Sequence, residues 1–300
     1  MIKDISIIFI SIFLESLPFL LLGSLISAVI ECFISDEKMA SLIPKNVFLG
    51  SIVGVFLGLF LPACDCAVIP IGKRLIKKKV PLNVAISFML SSPIINPVVL
   101  LSTYYAFYNT HKMIFFLRII FGITIALIIG IIMGFAFKKE VIKNRLLDEE
   151  TEEEHHHNHH KHNIFVSIIS HTAEDMFDVV KYLIIGALIA SSVQIIMPRS
   201  IITMFSNNNI LSIIVLMLFA YLISLCSTSD SFVGKSLLSA FTKSSILAYL
   251  LLGPMIDVKN TIVLLGNYKK KFVLVLITLI FALVFIFSMI GGMFIWKKDI

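Results

Sequence analysis

The sequence predicts an all-α integral membrane protein of about eight transmembrane helices, in two four-helix repeats with broken helices at the midplane. Three observations predict it: the composition, the spacing of the apolar runs, and the recurrence of special residues between the halves. Of the 300 residues, 58% are apolar and 15% charged, where soluble domains run roughly 45–50% apolar and about 25% charged. That balance excludes an ordinary soluble globule. The net charge of +6 does not indicate nucleic acid, because Lys and Arg collect in short loops beside apolar runs, which is how membrane topology is written.

Taken in order, the candidate spans are 5–30, 47–72, 82–107, 113–137, 177–197, 210–233, 246–265 and 272–296, each near the ~20 residues a crossing needs. The first carries only Glu15 as a charge. It is too long for a signal peptide and lacks a small-residue cleavage pattern, so it reads as a retained helix. Residues 1–137 form the first transmembrane repeat and 164–300 the second. Between them, 138–163 is an acidic and His-rich stretch that reads as a solvent-exposed linker. The Lys and Arg bias places both termini and this linker in the cytoplasm, with Lys269, Lys270 and Lys271 against the rule.

The repeat rests on scarce residues rather than on apolar similarity. Glu15 and Gly23 recur as Asp178 and Gly186, Phe88, Pro93 and Asn96 as Tyr249, Pro254 and Asp257, and Cys66 as Cys226, all at nearly one spacing. Pro18 has no counterpart. Internal repeats of this kind build many secondary transporters.

Four interruptions fall at matching places. Span 47–72 contains Pro62, Cys64, Asp65, Cys66 and Pro70, and the next contains Ser91, Ser92, Pro93, Asn96 and Pro97. Their counterparts are Cys226, Ser227, Thr228, Ser229 and Asp230, then Gly253, Pro254 and Asp257. Proline removes a backbone donor and frees carbonyls, which must then find partners in protein or in a wet cavity. Paired discontinuous helices point to a transporter's binding site. The substrate-binding candidates are therefore Cys64, Asp65, Cys66, Ser92, Pro93, Asn96 and Pro97 from the first half, with Cys226, Ser227, Thr228, Ser229 and Pro254 from the second. The alternative is that these prolines only kink helices and that the hydroxyls bond a carbonyl one turn back.

Carboxylates within spans are costly and need a reason. Asp230 and Asp257 are candidates to exchange a proton during transport; alternatively they cap half-helices or pair with Lys181, Lys235 or Lys259. Cys64, Cys66 and Cys226 can converge into a soft site, since thiolates prefer thiophilic species to hard cations. The bland reading is that they are small buried hydrophobes, as Cys32 is taken to be. His155, His156, His157, His159, His160 and His162 could hold a divalent metal or simply be a solvated tract.

At 62–97 and 226–257 the sequence resembles the ArsP-type predicted permeases, a bacterial inner-membrane family with duplicated four-helix halves. Cys64, Asp65, Cys66 and Pro70, the run from Ser92 to Leu100, and the segments 226–230 and 253–257 carry the resemblance, which covers most of the chain. It implies export of a small solute, trivalent arsenicals such as arsenite or methylarsenite in some members. The cysteine cluster proposed for methylarsenite lies in an early helix of those members, where this chain has only Cys32.

The reading is thus a permease in the cytoplasmic membrane, not an enzyme, with the bilayer and a small solute as partners and no cofactor. A gradient-driven exporter of a soft solute comes first; no phosphate-binding loop motif is present. A metal-ion or small-solute channel regulated through the His tract is the alternative. An intramembrane thiol redox enzyme ranks below both, since the usual C-x-x-C spacing is absent.

Overall fold

A computed structural model of the chain describes residues 2–33, 43–44, 46–61, 63–137, 141, 164–196 and 209–295. Pro62 and the His tract lie outside the described residues. The elements are α1 (Ile2–Phe33), α2 (Val47–Phe60), α3 (Val68–Lys77), α4 (Leu82–Ile95) and α5 (Pro97–Ala136), then α6 (Ile164–Ile196), α7 (Asn209–Ile223), α8 (Ser227–Leu237), α9 (Lys243–Met255), α10 (Val258–Asn267) and α11 (Lys270–Ile290), ending in a π-helical turn at Gly291–Ile295.

A break falls at or beside each expected interruption, and polar residues make it; the one expected at 226–230 lies at 224–226, with Ser227 to Asp230 forming the first turn of α8. Helix α2 ends at Phe60, and α3 restarts at Val68 after the turn that holds Cys64, Asp65 and Cys66. Pro93 and Pro254 are accommodated inside α4 and α9, and the chain breaks two or three residues later. At the first of these breaks Asn96 accepts from the Val98 amide at 3.0 Å and Pro97 opens α5; at the second Asp257 accepts from the Asn260 amide at 2.6 Å and caps α10. Helix α7 ends where Ser224 takes a left-handed conformation (φ 52°). Helix α5 breaks at His111, which separates the two expected spans there.

Contacts fix the direction in which each helix runs. Asn83 at the start of α4 donates to the Val47 carbonyl at 2.8 Å and to Ser51 at 3.2 Å. Further along, Gly54 lies against Val84 and Ser87, and Gly58 against Ser91 and Ser92. So α2 and α4 run parallel, their small residues letting the backbones approach. Between them α3 runs back, placing Lys78 against Glu31 at the end of α1. The segment 47–81 is thus a helical hairpin that enters and leaves at one end of the bundle.

A second hairpin lies at the other end. Helices α7 and α9 begin side by side, joined by Ser212 and Ser245 at 3.0 Å, and α8 runs back along α9, with Asp230 beside Gly253 and Gly234 beside Leu250. Helices α1 and α6 pack antiparallel: Ile12 meets Ala187 and Ala190, Ser27 meets Asp175, and Cys32 meets Ser167.

Among the described residues six helical stretches are long and apolar enough to cross a membrane, not eight: Lys3–Phe33, Leu82–Tyr108, His111–Ala136, Phe165–Ile195, Lys243–Asn267 and Lys270–Met293. The expected spans at 47–72 and 210–233 are the two hairpins. Hydropathy counts apolar residues but is blind to a chain that turns back halfway. The expected span at 177 begins instead at Ile164. Glu174 and Asp175 hid these first turns of helix; Asp175 is matched by Arg74 on α3, as Asp178 within the expected span is by Lys73.

Gly134 sits over Asn83 and Gly122 over Ile94, so α5 ends where α4 begins, at the end where α1 finishes and α6 starts. Lys269 donates to the Val141 carbonyl at that same end. Helix α5 therefore ends and α6 begins at one end of the bundle, and α1 begins and α11 finishes at the other. The core is the broken pair: in the apolar 18-residue segments of Lys243–Asn267 and Leu82–Tyr108, 94% and 78% is buried, against 17% in that of Lys3–Phe33.

Candidate functional site

The breaks lie halfway along the bundle. Fourteen residues of α4 at about 1.5 Å per residue place Asn96 about 20 Å from the entry of α4. Side chains join all four interruptions there. Ser92 donates to the carbonyls of Leu61 and Ala63 at 3.3 Å, and Asn96 to that of Ala63 at 3.4 Å, so the break after α4 holds the turn of the first hairpin. Lys259, in the first turn of α10, donates its amide to Ser224 at 3.4 Å, which ties the break after α9 to the turn of the second hairpin. The halves meet through Asp65: Lys259 Nζ is 3.3 Å and Asn260 Nδ2 is 3.1 Å from its Oδ2. Lys259 also lies 3.7 Å from Asp257.

The first turn concentrates the soft chemistry. Cys64, Asp65 and Cys66 are buried, and one ligand atom from each lies within 4.8 Å of the others. Even a methyl group on Gly23 of α1 would collide with Ala67, so this turn is pressed against α1. Beside it a cavity of about 20 Å³ runs between the halves, lined by Asp65, Ile69, Met89, Pro254, Met255 and Asn260 among others. That is room for about one water molecule. All four cysteines are free thiols.

The remaining expected residues divide. Pro254 lines the cavity, and Pro93 is buried within α4. Pro97 is exposed at the start of α5 and does not face the cavity. Cys226 is half-buried and accepts from Thr228 at 3.5 Å; it stands outside the Cys64, Asp65, Cys66 cluster. Ser227 is buried, whereas Ser229 points outward to Glu15 at 3.2 Å.

Asp230 belongs to a second polar cluster. Its Oδ1 accepts from the Tyr249 hydroxyl at 2.9 Å. Nearby, Arg118 of α5 is fully buried and donates from Nη1 to Thr103 at 2.5 Å and to Ser231 at 2.8 Å. Sequence reasoning missed Arg118, Lys259 as the central cation, and Asn260. A lone arginine within an apolar run was the available signal for the first; the other two stand beside Asp257 in a segment read only for its proline and carboxylate.

The family of predicted permeases of the ArsP type matches residues 1–293. The chain belongs to this family. It is 42% identical over 278 residues to the UPF0718 protein YcgR of Bacillus subtilis, covering 92% of this chain and 93% of that one. It is 36% identical over 290 residues to a Streptococcus mutans protein described as a candidate subunit of a two-component membrane permease complex, covering 95% of this chain and 94% of that one. No solved structure gives a significant match. Family and helices together make this ArsP-type chain a multi-pass membrane permease.

Proposed function

We propose that this permease is a gradient-driven exporter of a soft, thiophilic solute, of which trivalent arsenicals are the best-fitting class. The carrying observation is the buried Cys64, Asp65, Cys66 turn, with ligand atoms within 4.8 Å, at the meeting point of four helix breaks. Trivalent arsenic exchanges hydroxyls for thiols, each As–OH and Cys–SH giving an As–S bond and one water, so no oxidant or reductant is consumed. Lys259 already occupies Asp65, so the turn offers a divalent cation no bare carboxylate. A neutral thiophile meets no such competition.

The helix directions support a duplicated chain of inverted halves, with six crossings and two re-entrant hairpins that enter from opposite faces and touch at the midplane. In this arrangement both termini share one face and the linker lies on the other. The Streptococcus relative's name favours a second subunit, which would supply or receive the solute. The His tract, outside the described residues, is proposed as a metal-responsive element of that linker.

Uptake of arsenite, methylarsenite and cadmium into everted vesicles tests this. Arsenical uptake should fall at least tenfold in Cys64→Ser and Cys66→Ser. Undiminished uptake in both variants, or uptake of cadmium alone, removes the reading.

A further inference from the structure

A permease driven by a proton gradient needs a group that exchanges protons, and Asp230 and Asp257 are the two carboxylate candidates. Asp257 has a cation beside it: Oδ1 caps α10, and Oδ2, though it accepts no hydrogen bond, lies 3.7 Å from the Lys259 ammonium. Asp230 has no cation paired with it among the described residues. Its Oδ2 accepts no hydrogen bond and the residue is 2% exposed. Gly253 leaves room beside that oxygen, since a methyl group there would stand 2.6 Å from it.

Arg118 mirrors this deficit. Nη1 is held by Thr103 and Ser231, while Nε and Nη2 have no acceptor in a side chain with no exposure. Ser231 follows Asp230 in the chain, so the guanidinium is anchored one residue from the carboxylate. An ionised carboxylate with one oxygen unbonded and a guanidinium with an unshared edge are both costly when buried. A proton on Asp230 relieves the first, and direct pairing relieves both. These are two discrete arrangements of one cluster.

We propose that Asp230 carries the transported proton and that Arg118 is its positioning residue, forming a proton site on α5, α8 and α9 separate from the Cys64, Asp65, Cys66 turn. This rests on the transport reading. When the proton leaves Asp230 for water on the open face, the free edge of Arg118 turns to the carboxylate; when a proton returns, Arg118 relaxes onto Thr103 and Ser231. Among the described residues the other charged or titratable groups around α8 are Tyr249 from α9, Glu15 of α1 through Ser229, Cys226 and Lys235 at the two ends of α8 itself, and Asp65 and Asp257 across the centre.

Infrared difference spectroscopy of the protein in lipid, without solute, tests the site by following the protonated-carboxyl C=O band as pH is varied. The band should be lost in Asp230→Asn and kept in Asp257→Asn, and its midpoint should move in Arg118→Gln and return towards wild type in Arg118→Lys. Gly253→Ala, which crowds Oδ2 without changing charge, should also move it if Arg118→Gln does not fold. A band that survives Asp230→Asn, or disappears in Asp257→Asn, overturns the proposal. A midpoint indifferent to both Arg118→Gln and Gly253→Ala reduces Arg118 to packing. Absent arsenical uptake with this band intact would sink only the exporter reading.

Discussion

The two hairpins share a topology and are held by different forces. In α2 and α3 the returning helix is buried from Val68 to Leu75, and charge clamps it: Arg74 Nη2 sits 3.2 Å from both oxygens of Asp175, Arg74 also pairs with Glu31 at 3.5 Å, and Lys73 with Asp178 at 3.4 Å. In α7 and α8 the returning helix buries only Ser227, Asp230, Ser231 and Gly234, and single hydrogen bonds to Thr103, Arg118, Tyr249 and Glu15, with no ion pair among the described residues, hold it to its neighbours. An ion pair buried between helices, as Arg74 with Asp175 is, resists separation most, whereas a single hydrogen bond contributes about 1 kcal/mol, or about 1.5–3 kcal/mol where one partner is charged. The second hairpin should therefore open first.

The comparison can be broken most sharply at its centre. Lys259→Met leaves Asp65 and Asp257 buried without a cation and should cost about 3–5 kcal/mol, read as a fall in the thermal unfolding midpoint of purified protein. Adding Asp65→Asn and Asp257→Asn should recover most of it. An unchanged midpoint in the single variant would mean that the tip of the first hairpin is not held by charge.

Next comes the clamp. Arg74→Ala should cost about 3 kcal/mol, the low end for a buried pair, because Glu31 is 30% exposed. Amides of α3 should then exchange with deuterium as fast as those of α8, which in the wild type exchange sooner. Equal exchange before mutation would erase the contrast. Smallest is Ser229→Ala, which removes the exposed bond to Glu15 and should cost less than about 1 kcal/mol. A loss matching that of Arg74→Ala would show the second hairpin to be equally fastened.

Much of this arrangement was legible in the sequence, and the exceptions have one cause. Asn96, Asp257 and the Cys64 to Cys66 turn announced their breaks because a cap or a carboxylate inside an apolar run has few other uses. Direction was not legible, since a run of apolar residues reads the same whether it crosses or returns. Nor were partnerships between distant charges. Asp175 and Asp178 lowered the apparent hydropathy of α6, and only the fold shows Arg74 and Lys73 cancelling them. Lys259 looked like a neighbour of Asp257, yet it also reaches Asp65 from the other half.

That α5 ends and α6 begins at one end of the bundle has a practical meaning. Each half already contains its own hairpin and its own buried broken rod, and what joins them at the centre is side chains such as Asp65 and Lys259. A protease site placed in the linker should yield two fragments that stay together in detergent, and genes for 1–137 and 164–300 expressed side by side should reassemble into a working protein.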